Sequence, residues 1–227
     1  MNKLKYLHRK DTLFDYCYLA VEDHFKSRDD LNLWYENLSS DEKRNAFLKV
    51  ASYYLALVKK GNWHVDIPDS NPVIGYFTNT YKYIAIISLI ESLTTAKHVD
   101  FYNFLIMKRT KTNFPINDQE LKEKYRLYNE EFGAFRRCVG FFNLLPKKRQ
   151  KELVGKLEVK GGTPSIENFV KYLYRLRSEF VHQAELIHEM SGTPTIEYDG
   201  KNFVVCYLSI TDVMEFFEEG LLAWCQN

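Results

Sequence analysis

The sequence predicts an all-α protein: an up-and-down helical bundle with a small β-hairpin inserted before the last helix. Apolar residues recur at steps of three and four over most of the chain, which is typical of helices with one buried face. Capping residues precede several of these stretches, and one alternating stretch carries an Asp-Gly turn. With 45% hydrophobic and 15% aromatic residues, the chain of 227 residues can fill a sizeable core.

The N-terminal part of the chain carries two predicted helices. Asp11 is the predicted N-cap of the first, which covers residues 11–26. The stretch Ser39–Glu42 has the form of a capping box, and the helix that it opens runs until Gly61. Both helices precede the part of the chain whose pattern carries the functional hypothesis.

A stretch rich in proline and polar residues, 61–72, is the best candidate for a domain boundary. It divides the chain into an N-terminal helical segment, 1–70, and a helical domain, 71–227. No internal repeat or low-complexity tract crosses this division.

The middle of the chain is predicted to be helical almost throughout. A strongly apolar helix covers about residues 73–95, and a shorter one begins after Asp100. Asn117 and Glu120 fit a second capping box, which opens a long helix. Gly133 lies inside that long pattern and indicates a kink.

Four elements complete the prediction. A short helix covers residues 146–157, and another begins at Thr163 as N-cap, with a proline at its first position. Residues 195–205 alternate around an Asp-Gly pair, which predicts a tight hairpin turn. The last helix begins near Thr211 and has one apolar side.

The bulk composition constrains partners and location. The 31 basic and 30 acidic residues give a net charge of +1, so no overall field attracts nucleic acid or an anionic membrane. The four cysteines are scattered, with neither metal-ligand spacing nor a disulfide framework, which indicates free thiols in a reducing compartment. No signal peptide or membrane-spanning run is apparent. We therefore expect a cytoplasmic protein without a membrane partner.

The helix after Thr163 carries the most distinctive chemistry. Arg177 stands five residues before His182, and Arg175 stands seven before it. A guanidinium holds a phosphate through charged hydrogen bonds, and an imidazole exchanges a proton near neutral pH. On an ideal helical wheel that starts at Phe169, one apolar stripe is predicted to be buried: Phe169, Leu173, Leu176, Phe180 and Ala184. Arg177 falls near about 80°, His182 near about 220° and Arg175 near about 240°, and the face between Arg177 and His182, which carries Tyr174, points away from the stripe. Guanidinium and imidazole together are sufficient to cleave RNA without a metal.

The pattern of Tyr, two residues, Arg-Ser, two residues and Val-His, from Tyr174 to His182, resembles a late helix of the HEPN superfamily, in its Apea-like branch. The apolar run 83–93, with Glu91 as its one acidic residue, is similar to the earlier core helix of that branch. The resemblance covers about residues 72–227. The chain departs from the family pattern at two positions: Ser178 follows the arginine, where Asn, Asp or His is frequent, and Gln183 follows the histidine, where Gly is frequent.

The resemblance implies a HEPN-like helical domain and a metal-independent endoribonuclease that cleaves RNA by attack of the 2′-hydroxyl. It further implies a homodimer whose motif helices face each other. No metal or cofactor is expected, because the other histidines lack partners at metal-ligand spacing and no phosphate-binding glycine loop is present. Phage defence or a toxin-antitoxin system is the implied setting, with an antitoxin or regulatory protein as a further partner. Its implied catalytic residues are Arg177 and His182, with Ser178, Glu91, Arg175 and Tyr174 in support.

Several alternatives remain open. Arg175 instead of Arg177 also fits the looser spacing of the family, and Glu91 would pair with either of them. A catalytically silent module that binds RNA or protein, or only dimerises, is the second hypothesis, and a helical scaffold without catalysis is the third. Basic residues that are candidates for RNA contact form three clusters: Lys108, Arg109 and Lys111, then Arg136 and Arg137, and then Lys147, Lys148, Arg149 and Lys151.

Overall fold

A computed structural model describes residues 4–63, 74–93, 99–160, 162–183, 190–199 and 202–227, which form a helical bundle with a small antiparallel sheet. The helices are α1 (Lys10–Val21), α2 (Arg28–Glu36), α3 (Asp41–Tyr54), α4 (Ile74–Glu91), α5 (Phe101–Ile106), α6 (Asp118–Phe132), α7 (Ala134–Asn143), α8 (Lys147–Gly155), α9 (Ile166–Gln183) and α10 (Ile210–Gln226). The strands are β1 (Leu157–Val159), β2 (Thr195–Asp199) and β3 (Asn202–Cys206). The predicted all-α class with a small hairpin is confirmed.

The packing of the bundle centres on helices α7 and α10. Helix α7 packs against α4, α9 and α10, while α10 also packs against α3 and α4. Helices α1 and α3 extend the bundle on the side of α4. Buried side chains from Phe14 to Cys225 belong to one hydrophobic core that includes members of both 1–70 and 71–227. The division between these two segments stays a prediction.

The sheet has the strand order β1-β3-β2, and both pairings are antiparallel. The hairpin is confirmed, with Thr195 opposite Cys206, while its turn residues 200 and 201 lie outside the described residues. The prediction missed β1, because it extended the preceding helix to Leu157, whereas α8 ends at Gly155. A strand of three residues is too short to show alternation, so only its pairing with β3 defines it.

Three predicted N-caps are wrong by one or two residues. Asp11 lies in the first turn of α1 rather than at its cap. Ser40 rather than Ser39 caps α3, by accepting from the Lys43 backbone N–H, and the predicted capping box does not form because a lysine then occupies the N3 position. Ser165 rather than Thr163 accepts from the Asn168 N–H at the start of α9. At α3 and α9 a neighbouring serine thus accepts from one free amide of the first turn, whereas α1 has no side-chain cap.

Two other boundaries carry their expected signals. Asn117 caps α6 as predicted, by accepting from the Glu120 N–H at 2.9 Å. The predicted kink at Gly133 is a full break, because this residue has extended backbone angles, φ −63° and ψ 129°, and separates α6 from α7. Helix α2 was missed at the sequence level, although Ser27 caps it.

The four cysteines are free, as the sequence predicts, and all four are buried. Burial raises the pKa of Cys138 and of Cys225 to about 12, so both thiols stay protonated at neutral pH. Within the part of the chain that the structure describes, no helix combines the length and the apolar character that crossing a bilayer requires.

Two helical glycines offer a matched test of the packing around α7. A Cβ at Gly220 of α10 would lie 2.5 Å from Phe141 Cε1 of α7, whereas a Cβ at Gly140 of α7 would meet nothing within 4 Å. We expect Gly220→Ala to lower the free energy of unfolding by about 1–3 kcal/mol through overpacking. Gly140→Ala should raise it by up to about 1 kcal/mol through helix propensity. Urea denaturation measures both, and equal effects would contradict the close approach of these helices.

Candidate functional site

Helix α9 places the candidate residues on its different faces. Its buried stripe contains Phe169, Leu173 and Leu176, as the wheel predicts, while Phe180 is half-buried. Ala184, the last predicted member of the stripe, lies outside the described residues. Because this stripe anchors α9 against α7 and α8, the remaining faces of the helix are fixed in direction.

Arg177 is half-buried and directed toward the bundle. Its guanidinium lies over the Tyr174 ring, 5.9 Å from the ring centre, and its charge lowers the pKa of Tyr83 and Cys138, although burial raises both overall. Its Nε is buried and has no hydrogen-bond partner. Among the described residues, no carboxylate forms an ion pair with Arg177, so the guanidinium keeps its hydrogen-bonding capacity.

Tyr174 belongs to an inward-facing polar cluster rather than to the open face that the wheel assigned to it. Its hydroxyl donates to Glu91 Oε1 of α4 and lies 3.8 Å from Cys138 Sγ of α7. Burial, together with Cys138 and Glu91, raises the Tyr174 pKa far above its ordinary value. The Tyr174 hydroxyl therefore stays protonated and acts as a hydrogen-bond donor. Within the described ranges, this hydroxyl binds the Glu91 side chain, and the predicted pairing of Glu91 with Arg175 or Arg177 is not formed.

Arg175 faces the sheet. Its Nη2 donates to Glu197 of β2, and its Nη1 lies 3.6 Å from Glu179, one turn further along α9. Two carboxylates thus compensate its charge, and its side chain is 28% exposed. Of the two arginines that fit the spacing, Arg175 is occupied by acidic partners within its own chain.

His182 and Ser178 are both exposed, near the end of the described part of α9. Five residues of helix separate Arg177 from His182 by about 140° around the axis, whereas Arg175 and His182 differ by about 20°. A single chain therefore directs the Arg177 guanidinium and the His182 imidazole to different sides of α9.

The predicted RNA contacts are largely engaged with acids or backbone. Arg136 pairs with Glu167 at 3.0 Å, and Arg137 donates to the Phe132 carbonyl at 2.7 Å. Arg149 donates to Glu219 at 2.8 Å and also pairs with two further glutamates, Glu152 and Glu215. Lys147 donates to Gln150, while Lys148 is 88% exposed and lies 3.9 Å from Glu152. The acidic partners on α9 and α10 lie far from these basic residues in the sequence. The sequence alone therefore does not show that the basic residues are paired with acids.

A buried carboxylate cluster was missed at the sequence level. Glu218 of α10 accepts from the Tyr54 hydroxyl at 2.6 Å and lies 3.1 Å from His24 Nε2 and 3.4 Å from Lys59 Nζ. One feature of the sequence indicated this cluster: Glu218 directly follows Phe217, a member of the apolar stripe of α10. Isolated carboxylates avoid such positions, so partners were to be expected.

The described residues contain no group of three or more His, Cys, Asp or Glu side chains placed to hold a metal ion. Comparison with known proteins gives no match to this chain among protein-family models, curated proteins or solved structures.

Proposed function

We propose that this protein is a metal-independent endoribonuclease of the HEPN type, in which Arg177 binds the scissile phosphate and His182 transfers protons. One observation carries the proposal. The half-buried arginines of the described residues are Arg44, Arg137, Arg149, Arg175 and Arg177, and of these only Arg177 has a guanidinium without a hydrogen bond or ion pair. Keeping a partly desolvated guanidinium without a hydrogen-bond acceptor is costly unless a ligand supplies one.

The proposed reaction is an internal transfer at phosphorus. The ribose 2′-oxygen bonds to the phosphorus as its proton leaves to a base, and the bond from phosphorus to the 5′-oxygen breaks as that oxygen takes up a proton. The products are a 2′,3′-cyclic phosphate and a free 5′-hydroxyl. His182 serves as the base or the acid, and Arg177 stabilises the charge that develops on the phosphate oxygens. Ser178 is an exposed hydroxyl that can donate to the same phosphate.

The site requires two copies of the chain. Because Arg177 and His182 leave α9 about 140° apart, a dimer that pairs two α9 helices is the arrangement that brings an arginine from one protomer to a histidine of the other. The homodimer expected from the family resemblance is therefore part of the proposal.

The experiment is cleavage of a mixed single-stranded RNA pool in EDTA, with the same sequences as DNA for comparison. We expect fragments that end in 2′,3′-cyclic phosphate from RNA and no cleavage of DNA, because DNA lacks the nucleophile. Intact RNA after incubation with dimeric protein would contradict the proposal.

A subunit-mixing test checks the shared site. Arg177→Ala and His182→Ala should each be inactive alone, yet co-refolded together they should recover about a quarter of wild-type activity, because half of the dimers regain one of two sites. No recovery from a mixture proven to contain heterodimers would rule out a site shared in this way.

A catalytically silent module that binds RNA or protein is the second candidate, and the divergence of Arg177 and His182 in one chain favours it. Such a module needs no imidazole near the guanidinium. It would bind RNA without cleaving it, and His182→Ala would not change its binding.

A further inference from the structure

A cavity of about 480 Å³ lies between the sheet and α9. Its volume falls within the range of small-ligand sites, about 300–1,000 Å³. The strands contribute an aliphatic wall, and α9 contributes an aromatic ring and the polar groups. The lining residues are Leu157, Val159 and Val204 from the strands, Gly162 from the segment before α9, and Asn168, Lys171, Tyr172 and Arg175 from α9.

The polar groups of this cavity are a cation and an amide with unused capacity. Lys171 is exposed and, in the part of the chain that the structure covers, forms no ion pair. Asn168 uses one amide hydrogen on the Thr163 carbonyl at 2.8 Å, which leaves its carbonyl oxygen and its second hydrogen. Arg175 is held against Glu197, so it shapes the wall of the cavity and Lys171 supplies the uncompensated charge.

The same face of α9 leads to His182. Eleven residues separate Lys171 from His182, which places them within about 20° of each other around the helix and about 16 Å apart along it. Asn168 lies about 40° from His182 and about 60° from Lys171 around the helix. The cavity and the proposed proton-transfer group therefore share one face, and a few nucleotides of extended strand can span the distance between them.

We infer that this cavity binds one nucleotide of a single-stranded RNA whose strand continues along α9 to His182. The base occupies the slot between the aliphatic wall and Tyr172, the free amide atoms of Asn168 hydrogen-bond the base edge, and the adjacent phosphate lies at Lys171. Single-stranded RNA is the substrate class that offers a splayed base together with a flexible phosphate chain. The inference rests on the proposed function and names the substrate class and the path of the strand.

The test measures binding of a fluorescent single-stranded RNA by anisotropy, in His182→Ala protein so that the probe stays intact. Adding Lys171→Glu should raise the Kd about tenfold or more, whereas the matched reversal Lys122→Glu, at an exposed lysine of α6, should change it less than about twofold. The milder Lys171→Gln should reduce the slope of log Kd against log salt by about one, as expected for one lost phosphate contact. Melting curves confirm that each variant is folded.

The outcomes separate the two proposals. If the wild type cleaves RNA but Lys171→Glu and Lys122→Glu change the Kd equally, the cavity is not the binding site. The endoribonuclease proposal would then still stand. RNA binding that depends on Lys171, in a wild-type protein that does not cleave, would support the cavity and contradict the catalytic proposal. No RNA binding at all would overturn both.

Discussion

His182→Ala is expected to lower the rate of RNA cleavage by about 10²–10⁴-fold, the usual contribution of a positioned proton-transfer group. Its melting temperature should stay within about 1–2 °C of wild type, because His182 is exposed and an exposed substitution of this kind changes stability little. Initial rates on a single-stranded RNA in EDTA and a thermal melt by circular dichroism measure the two effects.

The matched control is His8→Ala, which removes another exposed histidine, from the 3₁₀ turn Leu7–Arg9 before α1. This variant should cleave RNA at the wild-type rate, since His8 lies outside the proposed site. A His182→Ala protein that retains cleavage within about threefold of wild type would eliminate the imidazole as the proton-transfer group. Loss of activity in both variants would show that the activity does not depend on His182 specifically.

The parts of the fold that sequence predicts well are those fixed by local chemistry. Apolar periodicity located α9 and α10, and Asn117 located the start of α6, because a cap acts on amides only two or three residues away. The strand β1 could not be found in this way. Its three residues become a strand only through pairing with β3, almost fifty residues further along the chain.

For the site, the helical wheel predicted that Arg177 and His182 diverge, and it predicted the buried stripe of α9. It could not predict which arginine is compensated. The sequence contains glutamates near both candidates, but the partner that distinguishes them, Glu197, belongs to β2 and meets Arg175 only when the sheet forms. Tyr174 similarly turned inward because Glu91 of α4 accepts its hydroxyl hydrogen.

The Glu218 cluster links α10 to the first 70 residues of the chain. Tyr54 ends α3, His24 lies in the turn after α1, and Lys59 lies in the π-helical stretch Leu55–Lys59, where it also contacts Asp23 and the Ala20 carbonyl. The Glu218 side chain is 7% exposed, so its charge depends on these partners instead of water. Burial and the Glu218 charge raise the pKa of Tyr54, so its hydroxyl remains protonated and donates.

Removing this carboxylate should therefore destabilise the whole bundle. Glu218→Ala leaves the Tyr54 hydroxyl buried without an acceptor and takes a partner from Lys59, and we expect a loss of about 3–5 kcal/mol in the free energy of unfolding. For a chain of this size that is a fall of roughly 10 °C in Tm. The matched control is Glu215→Ala on the same helix, 59% exposed and 3.6 Å from Arg149, which should cost at most about 0.5 kcal/mol. Equal losses in the two variants would show that the buried cluster does not fasten α10 to the N-terminal helices.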